Sequence, residues 1–441
     1  MSVRWTVALL CAAALARGVL VALVIPPFHG VDEQAHFDYV ERLVEARALP
    51  EVRLDCAALS PEVRAAVQQL VEPVNFRPEL PLPGLESLQL PDPRAPASRR
   101  TSGCGQAASY PPLYYLLAAL PVSLAPAAPL LHRLFLARLA SALLGAATVL
   151  FSLLAARRLL GDPAAALAVA LLVLLQPQLA FLFGVVNNDA ALFACTAATL
   201  AGIAELNRDP RSRRGLIELG VAGVCAALGK PTFLVLAPAL GVLAFAAAGL
   251  RWRAPLALLP GVIAGAAFAA VRGDALPAGA PHALAFGTWL RDYALSPRRL
   301  HFVWHELYWM GWGWADTWLS KLWYALLLGL LGSALVGAAL AWRTLTGAER
   351  GLLRAGALAT ALALAALYAI EISFLRRTGQ PLLQGRYLLP LFPLHAAMLV
   401  CAWRGAARAA RTRLDPSWGG VAFLFLMLCA SVVRALARYH A

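Results

Sequence analysis

Long apolar runs constrain this chain more than any other feature of its sequence. Thr6–Ile25 is interrupted only by Arg17, and Ala164–Val186 contains no charged residue. About 20 apolar residues in helical form cross the hydrocarbon core of a bilayer, and about eleven such runs occur here. The chain is 60% apolar and 14% charged, whereas soluble domains are about half apolar and about a quarter charged. The sequence therefore predicts an all-α polytopic membrane protein, and it excludes a soluble enzyme, a secreted disulfide scaffold and a disordered chain.

The distribution of basic residues predicts the topology. The 38 Lys and Arg outnumber the 24 Asp and Glu, giving a formal charge of +14. Basic residues cluster in short loops, and cytoplasmic loops carry such an excess. Placing these clusters in the cytoplasm predicts a multi-pass protein of the plasma (inner) membrane with a cytoplasmic N-terminus. The basic residues are scattered and form no patch with interleaved aromatic residues, so nucleic-acid binding is not expected.

The same counting predicts about eleven transmembrane helices and a C-terminus outside. A crossing by Pro112–Ala125 would place Arg157 and Arg158 outside, so this short, proline-bounded stretch is predicted to dip into the outer leaflet and return. The predicted crossings are 5–25, 134–156, 164–183, 190–206, 215–229, 231–249, 255–271, 322–342, 353–370, 387–403 and 418–436.

Five regions follow from this topology. They are the first transmembrane helix (1–28), an extracytoplasmic loop that includes the membrane-dipping helix (29–133), a set of transmembrane helices (134–271), an aromatic-rich extracytoplasmic loop (272–321) and the C-terminal transmembrane helices (322–441).

The first outer loop is the longest polar segment. Apolar residues at helical spacing predict an amphipathic helix over Glu33–Ala46, and Pro61–Leu70 is a candidate second helix. Cys56 and Cys104 both lie in this loop. In an oxidising compartment they could pair with each other, and the sequence leaves that question open.

An acidic pair, Asp32-Glu33, follows the first span directly, with His36 one turn later. At the outer surface one carboxylate could accept a proton from an attacking hydroxyl while the other orients it or holds a cation. The alternative is structural, because Asp32 is also a good helix N-cap and Glu33 suits the first helical turn. Local sequence alone favours the structural interpretation.

Further polar groups on the same predicted face favour the catalytic interpretation of the acidic pair over the structural one. They are Tyr110-Pro-Pro-Leu-Tyr-Tyr115, Asn187-Asn188-Asp189 and Gln384-Gly-Arg-Tyr387. Ionisable residues at span ends usually line a cavity or a substrate path. Arg386 is the first candidate for binding a phosphate, because a guanidinium can grip phosphate oxygens through two hydrogen bonds. Lys230 lies between two apolar half-runs and is a second candidate, although it could instead cap a broken helix.

These motifs together resemble a known superfamily. An acidic pair at the end of the first span looks like the signature of the GT-C polyprenyl-phosphate-dependent glycosyltransferases, which include protein O-mannosyltransferases, aminoarabinose transferases and oligosaccharyltransferase catalytic subunits. With Gly-Trp-Gly-Trp-Ala-Asp at 311–316 and Gln-Gly-Arg-Tyr-Leu-Leu-Pro at 384–390, the chain is more similar still to an uncharacterised bacterial family of multi-pass membrane proteins in that superfamily. The similarity extends over roughly residues 5–405.

The resemblance implies a GT-C fold and a site. Asp32 matches the acidic position that serves as general base or metal ligand, with Glu33 as its catalytic neighbour. The donor phosphate would be bound by Arg386, Lys230 and Tyr387. The remaining candidate substrate-binding residues are His36, Tyr114, Asn188, Asp189, Trp312, Asp316 and Gln384. Asp189 stands where some relatives carry a second acidic motif, but here it is a single carboxylate. This departs from the metal-dependent pattern, so no cofactor is required, and Asp32 and Asp189 would be the ligands of a divalent metal if one is bound.

The implied reaction moves a sugar from a polyprenyl-phosphate donor to a hydroxyl of a glycan, glycolipid or protein acceptor on the extracytoplasmic face, with inversion. Two alternatives stay open. A transporter or flippase for a lipid-linked sugar predicts broken helices and inverted repeats, and the sequence shows one break, at Gly229-Lys230-Pro231, and no repeat. A non-catalytic assembly subunit would keep the fold without the activity.

Overall fold

Apolar segments of this length form helices because the bilayer core offers no water to their N–H and C=O groups. The computed structural model describes residues 3–52, 59–74, 77, 80–82, 84–91, 107–249, 251–272, 286–412 and 414–440. Within these ranges the chain is helical and contains no β-strand, and Trp312 and Thr317 form an isolated antiparallel bridge. The predicted all-α class is confirmed.

The helices have the following bounds. The longer α-helices are α1 (Val3–Val24), α2 (Glu33–Ala46), α3 (Pro61–Leu70), α4 (Leu113–Ser123), α5 (Leu130–Leu160), α6 (Pro163–Leu175), α7 (Pro177–Leu182), α8 (Asp189–Arg208), α9 (Arg213–Gly229), α10 (Thr232–Ala247), α11 (Leu259–Arg272), α12 (Lys321–Leu340), α13 (Gly347–Thr378), α14 (Phe392–Ala409) and α15 (Ser417–Tyr439). Shorter α-helical turns are Arg253–Leu256, Phe286–Trp289, Pro297–His301 and Leu307–Trp309. Leu85–Ser87 and Gly385–Leu391 are 3-10 helices, and Leu290–Ala294 and Phe302–Glu306 are π-helical turns.

The described residues include eight helices that are long and apolar enough to cross a membrane. They are Arg4–Val24, Leu130–Leu160, Asp189–Arg208, Arg253–Arg272, Lys321–Leu340, Gly347–Thr378, Gly385–Ala409 and Ser417–Tyr439. Helices also occupy the other three predicted crossings, at 164–183, 215–229 and 231–249, but these are shorter. The multi-pass class is therefore confirmed, and the number eleven stays a prediction.

The segment predicted as one crossing at 164–183 is divided at Gln176. A residue before proline avoids the α-helical conformation, and Gln176 is extended with ψ 117° immediately before Pro177. Its side chain accepts a hydrogen bond from the N–H of Leu179 and donates one of 2.7 Å to the carbonyl of Tyr308. A polar residue in an apolar run thus caps α7 and joins it to the segment before α12.

The two helices of the first outer loop have the bounds that the sequence predicts. A buried cluster fastens them to the bundle, because Arg133 of α5 donates hydrogen bonds to both Glu41 of α2 and Glu62 of α3. Burial raises the pKa of Glu41 to about 8, against the opposing effect of Arg133. The predicted pair Cys56 and Cys104 lies outside the described residues.

The helix predicted to dip into the membrane, α4, has 11 residues. Its length is about 16 Å at 1.5 Å per residue, and the hydrocarbon core is about 30 Å thick. This helix is shorter than the core, and the predicted return to the same face stays a prediction.

Small residues let the membrane helices approach closely. A Cβ atom added at Gly202 of α8 would lie 2.8 Å from the backbone nitrogen of Leu219 in α9. A Cβ added at Gly18 of α1 would lie 2.6 Å from the Cβ of Ala142 in α5. Membrane helices associate mainly through such close backbone packing, so these glycines determine how closely α8 and α9, and α1 and α5, can pack.

Gly202→Ala should therefore lower the free energy of unfolding by about 1–3 kcal/mol, the usual cost of overpacking. Gly332→Ala on α12 is the matched control, because no atom lies within 4 Å of its added Cβ. The control should be neutral or slightly stabilising, since alanine is the better helix former. Thermal unfolding of both variants in one detergent, followed by tryptophan fluorescence, tests the pair. Equal changes in both would contradict the packing argument.

Candidate active site

The chain turns sharply between α1 and α2. Phe28 and Asp32 in this turn both adopt left-handed backbone conformations, with φ of 64° and 58°. Strained backbone of this kind costs about 1–3 kcal/mol and concentrates at functional sites. Asp32 directly precedes α2, yet its side chain makes no capping hydrogen bond. The carboxylate is 38% exposed, so it is not committed to the helix end in the way that the structural interpretation requires.

The neighbouring acid, Glu33, is in the opposite situation. Its side chain is fully buried, and both carboxylate oxygens accept hydrogen bonds. The backbone N–H groups of Phe28 and Val186 donate to it over 3.0 and 2.9 Å. Arg138 donates from Nε and Nη2 over 2.8 and 2.6 Å. Glu33 therefore joins the turn after α1 to α5 and to the segment before α8.

Arg138 completes this connection. It donates two hydrogen bonds of 2.7 Å to the carbonyls of Ala22 and Ile25, and one of 2.8 Å to that of Pro26. The carbonyl of Ala22 lies in the last turn of α1 and the other two lie just after it, where helical N–H groups are no longer available. The role of Arg138 was not predicted. A signal was present, because Arg138 is the single charged residue of the predicted crossing 134–156.

A second ion pair forms where two helices meet end to end. Lys230 lies between α9 and α10, and its Nζ is 2.6 Å from Oδ1 of Asp189 at the start of α8. Both side chains are nearly completely buried, at 6% and 1% exposed. The ammonium also faces the rings of Tyr110 and Tyr387, at 5.9 and 5.7 Å from their centroids. Lys230 is thus a buried partner of Asp189.

Arg386 lies between the two predicted acids. Its Nη2 is 3.9 Å from Oδ2 of Asp32, and its Nε is 3.8 Å from Oδ2 of Asp189. Both contacts are longer than hydrogen bonds. Nε and Nη1 are buried without a hydrogen-bond partner in the structure, and so are both amide atoms of Asn188. Such unpaired buried groups usually mark a site for an ordered water or a ligand.

Two contacts hold the turn that carries Arg386. Gly385 packs against the backbone of the preceding segment, so closely that an added Cβ would lie 2.5 Å from the nitrogen of Tyr308. Glu371 of α13 accepts hydrogen bonds of 2.8 Å from the N–H groups of both Leu382 and Leu383, and it pairs with Arg299. The positioning role of Glu371 was also not predicted, since it depends on a loop that folds back onto α13.

Aromatic side chains form one wall of this group. His36 bonds the hydroxyl of Tyr115 over 2.8 Å and stacks on the rings of Tyr110 and Tyr115. Burial lowers the pKa of His36 to about 3, and the charge of Lys230 acts in the same direction. His36 is therefore neutral near pH 7 and acts as a packing and hydrogen-bonding group.

Four other predicted residues lie around this group or farther from it. Tyr114 is buried and bonds Ser141 and the N–H of Asn187, each over 2.8 Å. Trp312 is buried, stacks on Phe181 and donates to the carbonyl of Pro177 over 3.0 Å. Asp316 accepts hydrogen bonds from Thr317 and Tyr439, and burial raises its pKa. Gln384 directly precedes the turn of Gly385 and is half-buried.

The two predicted metal ligands do not fit a divalent cation. Asp32 and Asp189 approach the same guanidinium from different nitrogens, and Asp189 also binds Lys230. A metal between them would be repelled by both basic groups. Among the described residues, no group of three or more His, Cys, Asp or Glu side chains is arranged to hold a metal ion.

Comparison with known families assigns the chain. A model of a predicted membrane protein family, DUF2142, matches residues 15–395. The chain belongs to this family. No curated protein matches it.

Several solved structures are similar in fold. ArnT from Cupriavidus metallidurans bound to undecaprenyl phosphate has 16% identity and a TM-score of 0.47, covering 98% of this chain and 64% of its own. The Archaeoglobus fulgidus oligosaccharyltransferase in the apo form has 14% identity and a TM-score of 0.43, covering 99% and 56%. AglB from the same organism, in complex with an inhibitory peptide and a dolichol-phosphate, has 12% identity and a TM-score of 0.37, covering 97% and 55%. This DUF2142 chain thus spans less than two thirds of each, and its function has to be argued from its own residues.

The Glu33–Arg138 pair yields a stability prediction. Glu33→Gln and Arg138→Met should each lower the free energy of unfolding by about 3–5 kcal/mol, because each leaves a buried charge unpaired. The double variant should lose less than the sum of the two.

Unfolding in mixed detergent micelles measures all three variants. Asp292→Asn is the control for removing an acid from an ion pair, since Asp292 pairs with Arg291 at the surface, and it should behave as wild type. Strictly additive losses in the double variant would rule out direct coupling between Glu33 and Arg138.

Proposed function

We propose that this protein is a GT-C-type glycosyltransferase that transfers a sugar from polyprenyl phosphate to an acceptor hydroxyl on the extracytoplasmic face. One observation carries the proposal. Asp32, Asp189, Lys230 and Arg386 come from four distant parts of the chain and meet in one cluster. The resemblance of their motifs to the GT-C signature supplies the reaction class. Asp32 supplies a carboxylate that can accept a proton, and Arg386 supplies a group that can bind phosphate. The neighbouring Asn188 supplies buried polar atoms for the substrate.

Asp32 is the general base in this proposal. It makes no capping hydrogen bond, its side chain is partly exposed, and its nearest cation is 3.9 Å away. An acceptor hydroxyl can therefore approach it from solvent. As the hydroxyl oxygen attacks the anomeric carbon from the face opposite the phosphate, Asp32 takes its proton, and the bond from the sugar to the phosphate oxygen breaks. General-base assistance of this kind contributes about 10²–10⁴-fold to the rate.

Arg386 stabilises the departing phosphate. Its Nε and Nη1 have no hydrogen-bond partner in the structure, and its contacts with both acids exceed hydrogen-bond length. Nη1 and the adjacent Nη2, whose contact with Asp32 is longer than a hydrogen bond, can therefore donate to phosphate oxygens along one edge of the guanidinium. Donors that are already oriented toward developing negative charge usually contribute most to catalysis. Lys230 acts with it by neutralising Asp189 over 2.6 Å, so that Asp189 does not hold Arg386 away from the phosphate.

The sugar would contact the remaining polar groups. Both amide atoms of Asn188 are buried and unpaired, which is costly unless a ligand or a water satisfies them. His36 lies near enough for the charges of Asp189 and Arg386 to act on it, and Gln384 directly precedes the turn that carries Arg386. Glu33 was predicted to act with Asp32, but its oxygens already accept four hydrogen bonds. In the proposed mechanism it positions Asp32.

Asp32→Asn should lower the rate of sugar transfer by about 10²–10⁴-fold while leaving donor binding intact, because the amide keeps the shape but cannot accept the proton. Transfer from a panel of polyprenyl-phosphate sugars measures this, with Asp292→Asn as the control. If the folded Asp32→Asn variant transferred sugar at the wild-type rate, Asp32 would not be the base.

Arg386→Lys should weaken retention of undecaprenyl phosphate by more than about tenfold, because lysine keeps the charge but loses bidentate donation. Native mass spectrometry of the purified protein with added lipid gives the ratio of bound to free protein. Arg376→Lys, at an exposed position on α13, is the matched control. Equal retention of undecaprenyl phosphate by both variants would contradict the proposal that Arg386 binds the donor phosphate.

A transporter for a lipid-linked sugar is the competing function, and one observation favours it. The helices are broken at Gln176 and at Lys230, as such transporters require. Both breaks, however, have internal partners, Leu179 and Tyr308 for the first and Asp189 for the second. Lipid scrambling by proteoliposomes without sugar transfer would support the transporter.

A further inference from the structure

A cavity of about 790 Å³ lies at the end of the bundle far from Arg386. It is bounded by the C-terminal ends of α5, α8, α10 and α14 and by the N-terminal ends of α6 and α13. Asp189 begins α8 and Asn207 is its next-to-last residue, and the 18 helical steps from one to the other rise about 27 Å. This distance is close to the thickness of the hydrocarbon core, about 30 Å. The mouth of the cavity therefore lies at the opposite membrane surface from the candidate active site.

The inner part of the cavity is apolar. Leu200 and Ile203 of α8, Leu243 of α10, and Leu394 and Val400 of α14 line it. From Arg404 at the mouth to Leu394 inside, α14 rises about 15 Å. A space of this depth, with an apolar interior and a charged mouth, has the shape of an amphiphile whose chain enters and whose head group stays at the surface.

The charges at the mouth select the head group. Arg404 bridges Asp162 and Asp415, with Nε 3.2 Å from the latter, and Arg408 contacts Glu349 over 2.7 Å. Three carboxylates thus share two guanidinium groups, which leaves one negative charge in excess. A head group with a net negative charge would be repelled by the extra carboxylate among the residues that line the cavity. A zwitterionic one can place its ammonium against the carboxylates and its phosphate on the remaining N–H groups, since each guanidinium has five.

We propose that this cavity binds a zwitterionic phospholipid of the phosphatidylethanolamine type. One acyl chain lies between α8, α10 and α14, and the head group bridges the carboxylates and arginines at the mouth. Because the bound lipid contacts both α6 and α14, it holds the ends of the bundle that lie far from the sugar-transfer site. The proposal does not depend on glycosyltransferase activity.

Native mass spectrometry of the full-length protein tests this site. The protein is mixed with equal amounts of phosphatidylethanolamine and phosphatidylglycerol carrying identical acyl chains. Retained phosphatidylethanolamine should exceed phosphatidylglycerol by about tenfold, as expected for head-group recognition through charged hydrogen bonds. Equal retention of the two lipids would overturn the proposal.

Two variants locate the binding. Ala355→Trp on α13 fills the cavity and should abolish the retained lipid, whereas Ala361→Trp, exposed on the same helix and outside the cavity, should not. The double change Asp162→Asn with Asp415→Asn should remove the preference for phosphatidylethanolamine. Asparagine can still accept the capping bonds of both aspartates, so the double variant remains decisive if Ala355→Trp fails to fold. Unchanged retention by Ala355→Trp, or an unchanged preference in the double variant, would place the lipid elsewhere.

Discussion

The ion pair between Arg138 and Glu33 is the interaction on which the candidate site depends. One guanidinium holds the last carbonyls of α1, the first carboxylate of α2 and thereby the turn between them. Glu33 extends the connection to the N–H of Val186, just before Asn188 and Asp189. A change in this pair would therefore displace both acidic segments of the cluster together. Burying two charges is costly unless all their hydrogen bonds are satisfied, and here the carboxylate accepts four and the guanidinium donates five.

This pairing explains why two adjacent acids have different surroundings. Glu33 is the first residue of α2, and its side chain is buried in the bundle, where it pairs with Arg138. Asp32 is one residue earlier, in a left-handed conformation that turns the chain before the helix starts. Its side chain consequently reaches the partly exposed space beside Arg386. The sequence predicts that both acids act together, and the backbone conformation shows that they face different surroundings.

Much of this arrangement was predictable from sequence because it depends on local patterns and on topology. The bounds of α2 and α3 follow from apolar spacing and from proline at the start of α3. The meeting of Asp32, Asp189, Lys230 and Arg386 follows from placing span ends on one face. Arg138 was not predicted as a positioning residue, because its partner Glu33 lies 105 residues away in the sequence. Glu371 was not predicted either, because the N–H groups it binds, 11 and 12 residues later, reach it only when the loop after α13 folds back. Trp312 was predicted at a substrate site, but its ring packs between segments whose contact no local pattern reveals.

The distances within the cluster distinguish the close Lys230–Asp189 ion pair from the looser contacts of Arg386, which leave Arg386 able to bind a phosphate. Lys230 and Asp189 are 2.6 Å apart and buried, so each compensates the charge of the other in a low-dielectric environment. Arg386 is 3.8 and 3.9 Å from its two acids, and at these distances it gains Coulomb energy without forming a hydrogen bond to either acid. An entering phosphate can therefore form hydrogen bonds with Arg386 while the Lys230–Asp189 pair stays intact. The cluster carries no formal net charge before the phosphate enters, so binding has to be driven by these hydrogen bonds and by the apolar lipid chain.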